Sequence, residues 1–268
     1  MTLSIAIITF NEEANIARTL KSVIELADEI VIVDSGSTDL TLVIAQEFGP
    51  KIKIFAEAWK GFAAQKNSAI EKCTGQWILS LDADEEVSDG LRSEIAHLLQ
   101  EHAAPEGTPA TSASGTAFSI ARRNMFLGRW MRHGGFWPDR KIRLFQRGTA
   151  LFEERPVHET IQVTGAVSEL NFPLHHHSYP TLAGYIDHMN HYSSLGAEAA
   201  AARGVTNRNL LVFLFNVIGR TKFTFIYNYF LRGGFLDGRE GFLLHFYHAV
   251  YVSWKYAKAW EMGRPPKR

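Results

Sequence analysis

The chain has 268 residues and 46% apolar content, enough for one large domain or a core domain with an appendage. Its formal net charge is zero but unevenly spread: from residue 201 onward eleven Lys and Arg face three Asp and Glu, against seventeen and twenty-five before it. Such a basic, aromatic-rich tail suits phosphates, an anionic surface, or packing against its own acidic body, and no nucleic-acid partner is expected. The single Cys73 excludes an intramolecular disulfide and fits a reducing compartment. Thr2 to Phe10 lacks a basic leader before it, and no uninterrupted apolar run reaches the ~18 residues of a spanning helix. The expectation is a soluble or peripheral protein, cytoplasmic and possible at the cytoplasmic face of an inner membrane.

Leu3 to Thr9 reads as a buried first strand, and Asn11-Glu12-Glu13 then starts a helix with Ile16, Leu20 and Val23 on its apolar stripe. Glu29 to Val33 and Lys51 to Phe55 are the second and third strands. A helix over Ala63 to Cys73 precedes a fourth strand at Trp77, which ends in Asp82-Ala83-Asp84-Glu85-Glu86. Strands and helices alternating at this spacing predict a parallel, Rossmann-like α/β sheet with helices on both faces. Neither a Gly-x-Gly-x-x-Gly turn nor a Gly-Lys-Ser/Thr phosphate loop is present, so an ordinary dinucleotide or P-loop site is not expected.

Residues 1–100 are read as the first, α/β half of a domain, 101–116 as a flexible loop rich in Ala, Ser, Thr and Pro, and 117–180 as the second half of the same domain. Within the last, Ala117 to Arg123, Lys141 to Phe145 and His158 to Val163 are expected strands of a mixed or antiparallel continuation. From Leu182 the chain reads helical, and residues 181–268 form a helical, membrane-associating or oligomerising region. Its apolar blocks are Leu210 to Ile218, Phe223 to Leu231 and Phe242 to Trp254, divided at Arg220 and Lys222 and again at Arg232 to Arg239.

Three strand ends converge by topology: Thr9 to Glu12, Asp34 to Asp39, and Asp82 to Asp84. Ligands of open α/β sheets bind outside the carboxyl ends of strands, and paired acids there suit a divalent cation carrying a diphosphate. Their bland alternative is loop solvation and helix capping, which is the preferred reading for Asp39.

The set TFNEE, VDSGSTD, QKN and LDADE resembles the inverting glycosyltransferases of family two, which have the glycosyltransferase-A fold. The later elements WPDRKIRLF, VHE, HHSY and GGFLDG resemble the lipopolysaccharide core glucosyltransferase branch, the WaaE or KdtX branch. The resemblance implies that Thr9, Asn11, Glu12 and Lys66 line the nucleotide pocket, that Asp34 reads the base, usually uracil, and that Asp82 serves ribose or metal. It makes Asp84 the ligand of a Mg or Mn ion, with His176 completing the shell among three histidines whose register is open by one. A base is needed for the acceptor hydroxyl; Glu159 is chosen and His158 kept as the alternative. Trp137, Arg140, Lys141 and Arg143 are expected to meet a phosphorylated, lipid-linked saccharide acceptor. The implied reaction moves a hexose, glucose by the branch, from a UDP-linked donor to a sugar hydroxyl. Rival readings are a polyprenyl-phosphate glycosyltransferase, a magnesium-dependent phosphatase, and a non-catalytic nucleotide-binding membrane module.

Overall fold

The structure, a computed structural model, describes residues 2–103, 115–153, 160–205 and 209–264. The chain forms two compact units, one of residues 1–123 and 139–177, the other of residues 124–138 and 178–268. The stretch that carries Trp137 therefore belongs with the helical C-terminal unit, although it lies in sequence between strands of the first.

The first unit is built on β1 (Leu3–Thr9), β2 (Glu29–Asp34), β3 (Ile52–Ala56) and β4 (Trp77–Asp82), all within a residue of where periodicity places them. They run parallel in the order β3-β2-β1-β4. β-Branched residues fill both faces, as a doubly covered parallel sheet requires. Leu3, Ile5 and Ile7 pack with Ile16, Leu20 and Val23 of α1 (Ile16–Val23) on one side. Ala6, Val31 and Val33 pack with Ala69 and Cys73 on the other, beside α3 (Phe62–Glu71), with α2 (Thr41–Gln46) between β2 and β3 in the chain.

The sheet continues from β4 to β8 (Asp139–Gln146) and β6 (Ala117–Phe126), each antiparallel to the one before, then to β12 (Leu174–Tyr179) and β5 (Glu85–Val87), an antiparallel pair; β7 (Arg129–Trp130) and β11 (Val167–Glu169) pair with β6, and β9 (Ala150–Glu153) with β10 (Thr160–Val163). Glu85 to Val87 is thus a strand, not the solvated loop or helix start suggested by its acids, because its backbone pairs with Leu174 to His176. α4 (Asp89–Ala103) follows it. Most of the predicted 101–116 loop, residues 104–114, and the Glu159 and His158 positions lie outside the described residues.

One buried acid ties three strands together. Glu29, 6% exposed, accepts from Ser4 Oγ (2.5 Å) and Thr74 Oγ1 (2.8 Å) and pairs with Lys53 Nζ (2.5 Å). Burial opposes its charge, but Lys53, Ser4 and Thr74 outweigh it and hold the carboxyl at about 2 against an ordinary 4.5. A depressed carboxyl contributes stability above its unfolded pKa and loses it as pH falls through its folded one; here that is worth roughly 3 kcal/mol at neutral pH. Glu29→Gln is expected to lower stability by that order at pH 7 and to flatten the loss between pH 4.5 and about 2. Denaturant titrations at stepped pH check this, and parallel curves for variant and parent would refute it.

In the second unit, α5 (Leu182–Ala202) packs along the C-terminal helix Gly238–Met262, started by Thr181 Oγ1 accepting from Gly184 N. Between them in sequence runs a continuous helix, Leu210–Leu231, with π-helical turns at Phe215–Gly219 and Ile226–Leu231. Arg220 and Lys222 do not break it, contrary to the division expected from sequence: long cationic side chains leave the backbone ladder intact.

Residues 132–136 are clasped by the turn before the last helix. Asp237, 2% exposed, accepts from the backbone N–H of Arg132 (3.0 Å) and His133 (2.9 Å) and contacts His133 Nδ1 at 2.8 Å. His245 is fully buried beside them, and neither ring nitrogen has a hydrogen-bond partner. Burial first, then His248 and Arg232, push its pKa down to about 4, so the ring is neutral at physiological pH. A Cβ on Gly134 (φ +67°) or Gly234 would overlap this ring. Gly134→Ala is expected to cost about 2–4 kcal/mol, from overpacking plus the left-handed backbone. A thermal melt within about 1 kcal/mol of the parent would show that His245 has room to move.

Candidate active site

The register of the parallel strands assembles the site. Thr9 pairs with Asp34 and Ile8 with Asp82, so the three predicted segments end side by side at the carboxyl edge of one sheet. Past β1, Asn11 takes a left-handed φ of +53°. Its amide side chain accepts from Thr38 N (2.8 Å), while its own N–H donates to Ser37 Oγ (2.9 Å). The β1 and β2 loops are thereby locked to each other. Asp39, expected as a helix cap, accepts from Thr41 N (3.0 Å) and from Glu13 N (3.1 Å), but the N-cap position of α2 is Leu40.

Asp34 is buried and turned into its own loop. It accepts from Gly36 N (2.9 Å), Ser37 N (2.9 Å) and Ser37 Oγ (2.5 Å), with Gly36 at φ +94° making the turn. The acid expected to read a base spends these contacts shaping the loop. Unsatisfied groups lie around it: Thr9 Oγ1, Ser35 Oγ and both amide atoms of Gln65 are buried without hydrogen-bond partners. Gln65 sits on α3, which packs on β1 and β2, and its side chain is fully buried. Each such group costs about 1–3 kcal/mol unless a ligand satisfies it. Ser35 and Gln65 were not singled out from sequence; their one signal was adjacency to Asp34 and Lys66.

A chain of alternating charges supports the fourth strand end. Lys66 Nζ lies 2.8 Å from Asp82 Oδ1, Arg143 Nη2 2.5 Å from Asp82 Oδ2 and 2.6 Å from Glu85 Oε1. Arg122 continues it, 3.2 Å from Glu85 and 2.5 Å from Asp139. Lys66 and Arg143 are each 4% exposed and Glu85 is fully buried. Burial works against the charge of Asp82, yet Arg143 and Lys66 hold its carboxyl well below the usual range. Both Asp82 oxygens are thus engaged by cations. Arg143, expected at an acceptor-facing strand edge, instead lies inside this network, because β8 pairs antiparallel with β4 and carries it there. Arg140 pairs with Glu169 (3.0 Å) and donates to Leu170 O (3.2 Å), while half-exposed Lys141 lies 3.4 Å from Asp139. Trp137, in the second unit, packs edge-on against Trp130 with ring centroids 5.2 Å apart.

Asp84 meets a histidine. β12 lies against β5, with His176 opposite Glu85 and the His177 N–H donating to Asp84 O (3.0 Å). Alternation along the strand aims His176 Nε2 at Asp84 Oδ2 (3.4 Å), while His177 Nε2 contacts Glu86 (2.9 Å). Burial disfavours the His176 cation, but Asp84 and Glu85 outweigh it and raise its pKa. Glu12 closes the group electrostatically: burial first, then the charges of Asp84, Asp39 and Asp82, push its carboxyl up. Asp84 and His176 offer one oxygen and one nitrogen donor of the kinds divalent cations accept; among the described residues no three such groups converge.

A parallel βαβ half, an antiparallel continuation and an acidic carboxyl edge define the glycosyltransferase-A class of fold. The mannosyltransferase PcManGT of Pyrobaculum calidifontis, solved with GDP-mannose and Mn2+, superposes over 96% of this chain and 86% of its own, with TM-score 0.52 and 15% identity. The family model for Glycosyl transferase family 2 matches residues 4–160, and the chain belongs to that family. It is 31% identical to the lipopolysaccharide core biosynthesis glycosyltransferase LpsC of Rhizobium meliloti, over 97% of this chain and 92% of LpsC. It is 30% identical to an uncharacterised glycosyltransferase of Rickettsia typhi, over 90% of this chain and 80% of that one. The protein is therefore a glycosyltransferase related to lipopolysaccharide core enzymes, and the phosphatase and non-catalytic readings fall away.

Proposed function

We propose that the chain transfers a hexose from a UDP-linked sugar, with inversion, to a hydroxyl of a lipid-linked saccharide of the lipopolysaccharide inner-core type. The carrying observation is the carboxyl edge itself: unsatisfied Thr9, Ser35 and Gln65 atoms beside the cluster of Glu12, Asp39, Asp82 and Asp84 carboxylates. The first set suits a base and ribose in need of hydrogen bonds; the second suits a cation bearing a diphosphate. The name of LpsC supports the acceptor class.

In this reading Asp84 and His176 would hold a divalent Mg or Mn ion, which when bound neutralises charge gathering on the departing diphosphate. Asp34 shapes the base loop and Asn11 holds it to β1. Lys66 and Arg143 keep the Asp82 carboxylate ionised and fixed beside the ribose. The acceptor oxygen attacks the anomeric carbon, the bond to the diphosphate oxygen breaks with its electron pair, and the acceptor proton passes to a base. Glu159 is assigned that role by family resemblance, with His158 as the alternative. Arg140, Lys141 and Trp137 remain proposed acceptor contacts; Lys141, half exposed, is the freest of them.

Calorimetric titration with UDP, with and without Mn2+, tests the donor assignment. Metal-dependent UDP binding is expected. Binding of GDP but not UDP would redirect the donor while keeping the chemistry.

A further inference from the structure

The helix Leu210–Leu231 has 22 residues and is long and apolar enough to cross a membrane, yet only 6% of its most apolar window is buried. Leu211 is 77% exposed, Phe215 62%, Phe223 66% and Leu231 72%. Its other face is covered, packing antiparallel on the C-terminal helix: Phe213 against Trp260 (5.4 Å), Phe225 against Phe242 (6.0 Å) and Arg220 over Tyr256 (5.3 Å). One face is therefore core and the other a continuous apolar surface, far beyond scattered exposed side chains.

We propose that this face is an interfacial foot that lies in the plane of one anionic lipid leaflet. Charge selects the occupant. No Asp or Glu occurs between Glu198 and Asp237, whereas Lys222 and Arg232 are exposed, and Arg220, though packed over Tyr256, is exposed as well. Phosphate headgroups complement such cations, and their aliphatic stems let them reach a lipid surface beside buried Phe and Leu. A second copy of the chain would bring cations against cations with no acid on the face to pair them.

Crossing the bilayer is disfavoured, although the length suffices. Arg220 and Lys222 sit at the middle of the helix, where a spanning segment meets hydrocarbon and a charge is costly to bury. The partner helix would also be drawn in, with Arg239, Glu240, Lys255 and Lys258. In-plane seating leaves that helix in water. The foot gives a lipid-linked acceptor a reason to meet this chain; its purpose rests on that reading, whereas its evidence does not.

The test is sedimentation of the full chain with vesicles of phosphatidylcholine, alone or with about one third phosphatidylglycerol. The parent is expected to bind the anionic vesicles, less so as salt rises. Phe215→Glu with Phe223→Glu should lower the bound-to-free ratio about tenfold or more. Lys222→Glu, a milder change at an exposed site, should lower it about fivefold. Melting curves and UDP titration are run on each variant, so that a folding failure or a wrong donor assignment shows separately. No vesicle binding by the parent, unchanged binding by both variants, or retention on vesicles through alkaline carbonate washing would overturn the proposal. So would a parent dimer that both variants dissolve.

Discussion

Replacing Arg143 with methionine is expected to cost the fold roughly 3–5 kcal/mol. The guanidinium is 2.5 Å from Asp82 and 2.6 Å from Glu85, and Glu85 is fully buried. Removing the cation strands ionised carboxylates where water cannot replace it, which is the costly way to break a buried pair. Arg122, 3.2 Å from Glu85, is a partial substitute, so the lower end of the range applies if its side chain can move closer. Adding Glu85→Gln to Arg143→Met is expected to recover about 1–2 kcal/mol, a coupling that a double-mutant cycle reads directly. The competing role for Arg143, contact with an acceptor phosphate, predicts the opposite pattern: normal melting and a raised acceptor KM. A variant within about 1 kcal/mol of the parent would refute the strut.

Asp84→Asn is expected to leave melting nearly unchanged while weakening Mn2+-dependent UDP binding, and transfer, by at least about a hundredfold. The side chain is about one fifth exposed, and an amide retains a carbonyl oxygen toward His176 Nε2, so packing and contact survive. What disappears is the negative charge that would hold the cation. The raised pKa of His176 adds a pH signature. Protonated His176 pairs with Asp84 and withholds its nitrogen, so a cation must displace that proton. Metal-dependent UDP binding should therefore strengthen with rising pH in the parent and lose most of that dependence in His176→Gln. Equal affinity of parent and Asp84→Asn for UDP with Mn2+ would remove Asp84 from the metal site.

The donor half of the fold was legible because its signals are local. An apolar run such as Leu3 to Thr9 is a strand wherever it lies, and parallel strands joined by helices have one permitted hand. That rule alone brings Thr9, Asp34 and Asp82 to one edge, as their register shows. The antiparallel half carried weaker signals. Glu85 to Val87 looks like solvated acids until Leu174 to His176 pairs with it, a partner some ninety residues away. The helix Leu210–Leu231 looked divided because charge was read as punctuation, when Lys222 is exposed and Arg220 lies over Tyr256, both on an unbroken backbone.

By itself, then, the amino-acid sequence determined the parallel sheet, the acidic edge and the family, since each follows from short-range periodicity and from motifs read in order. Only the tertiary structure decided which of those charges are available. Asp34 is consumed by its own turn, Asp82 by Lys66 and Arg143, and Asp84 is left facing His176. The reason is physical: a charge is defined by what neutralises it within a few ångströms, and here Arg143 arrives on β8 and His176 on β12, by pairings between strands far apart in the chain, while Lys66 comes from α3.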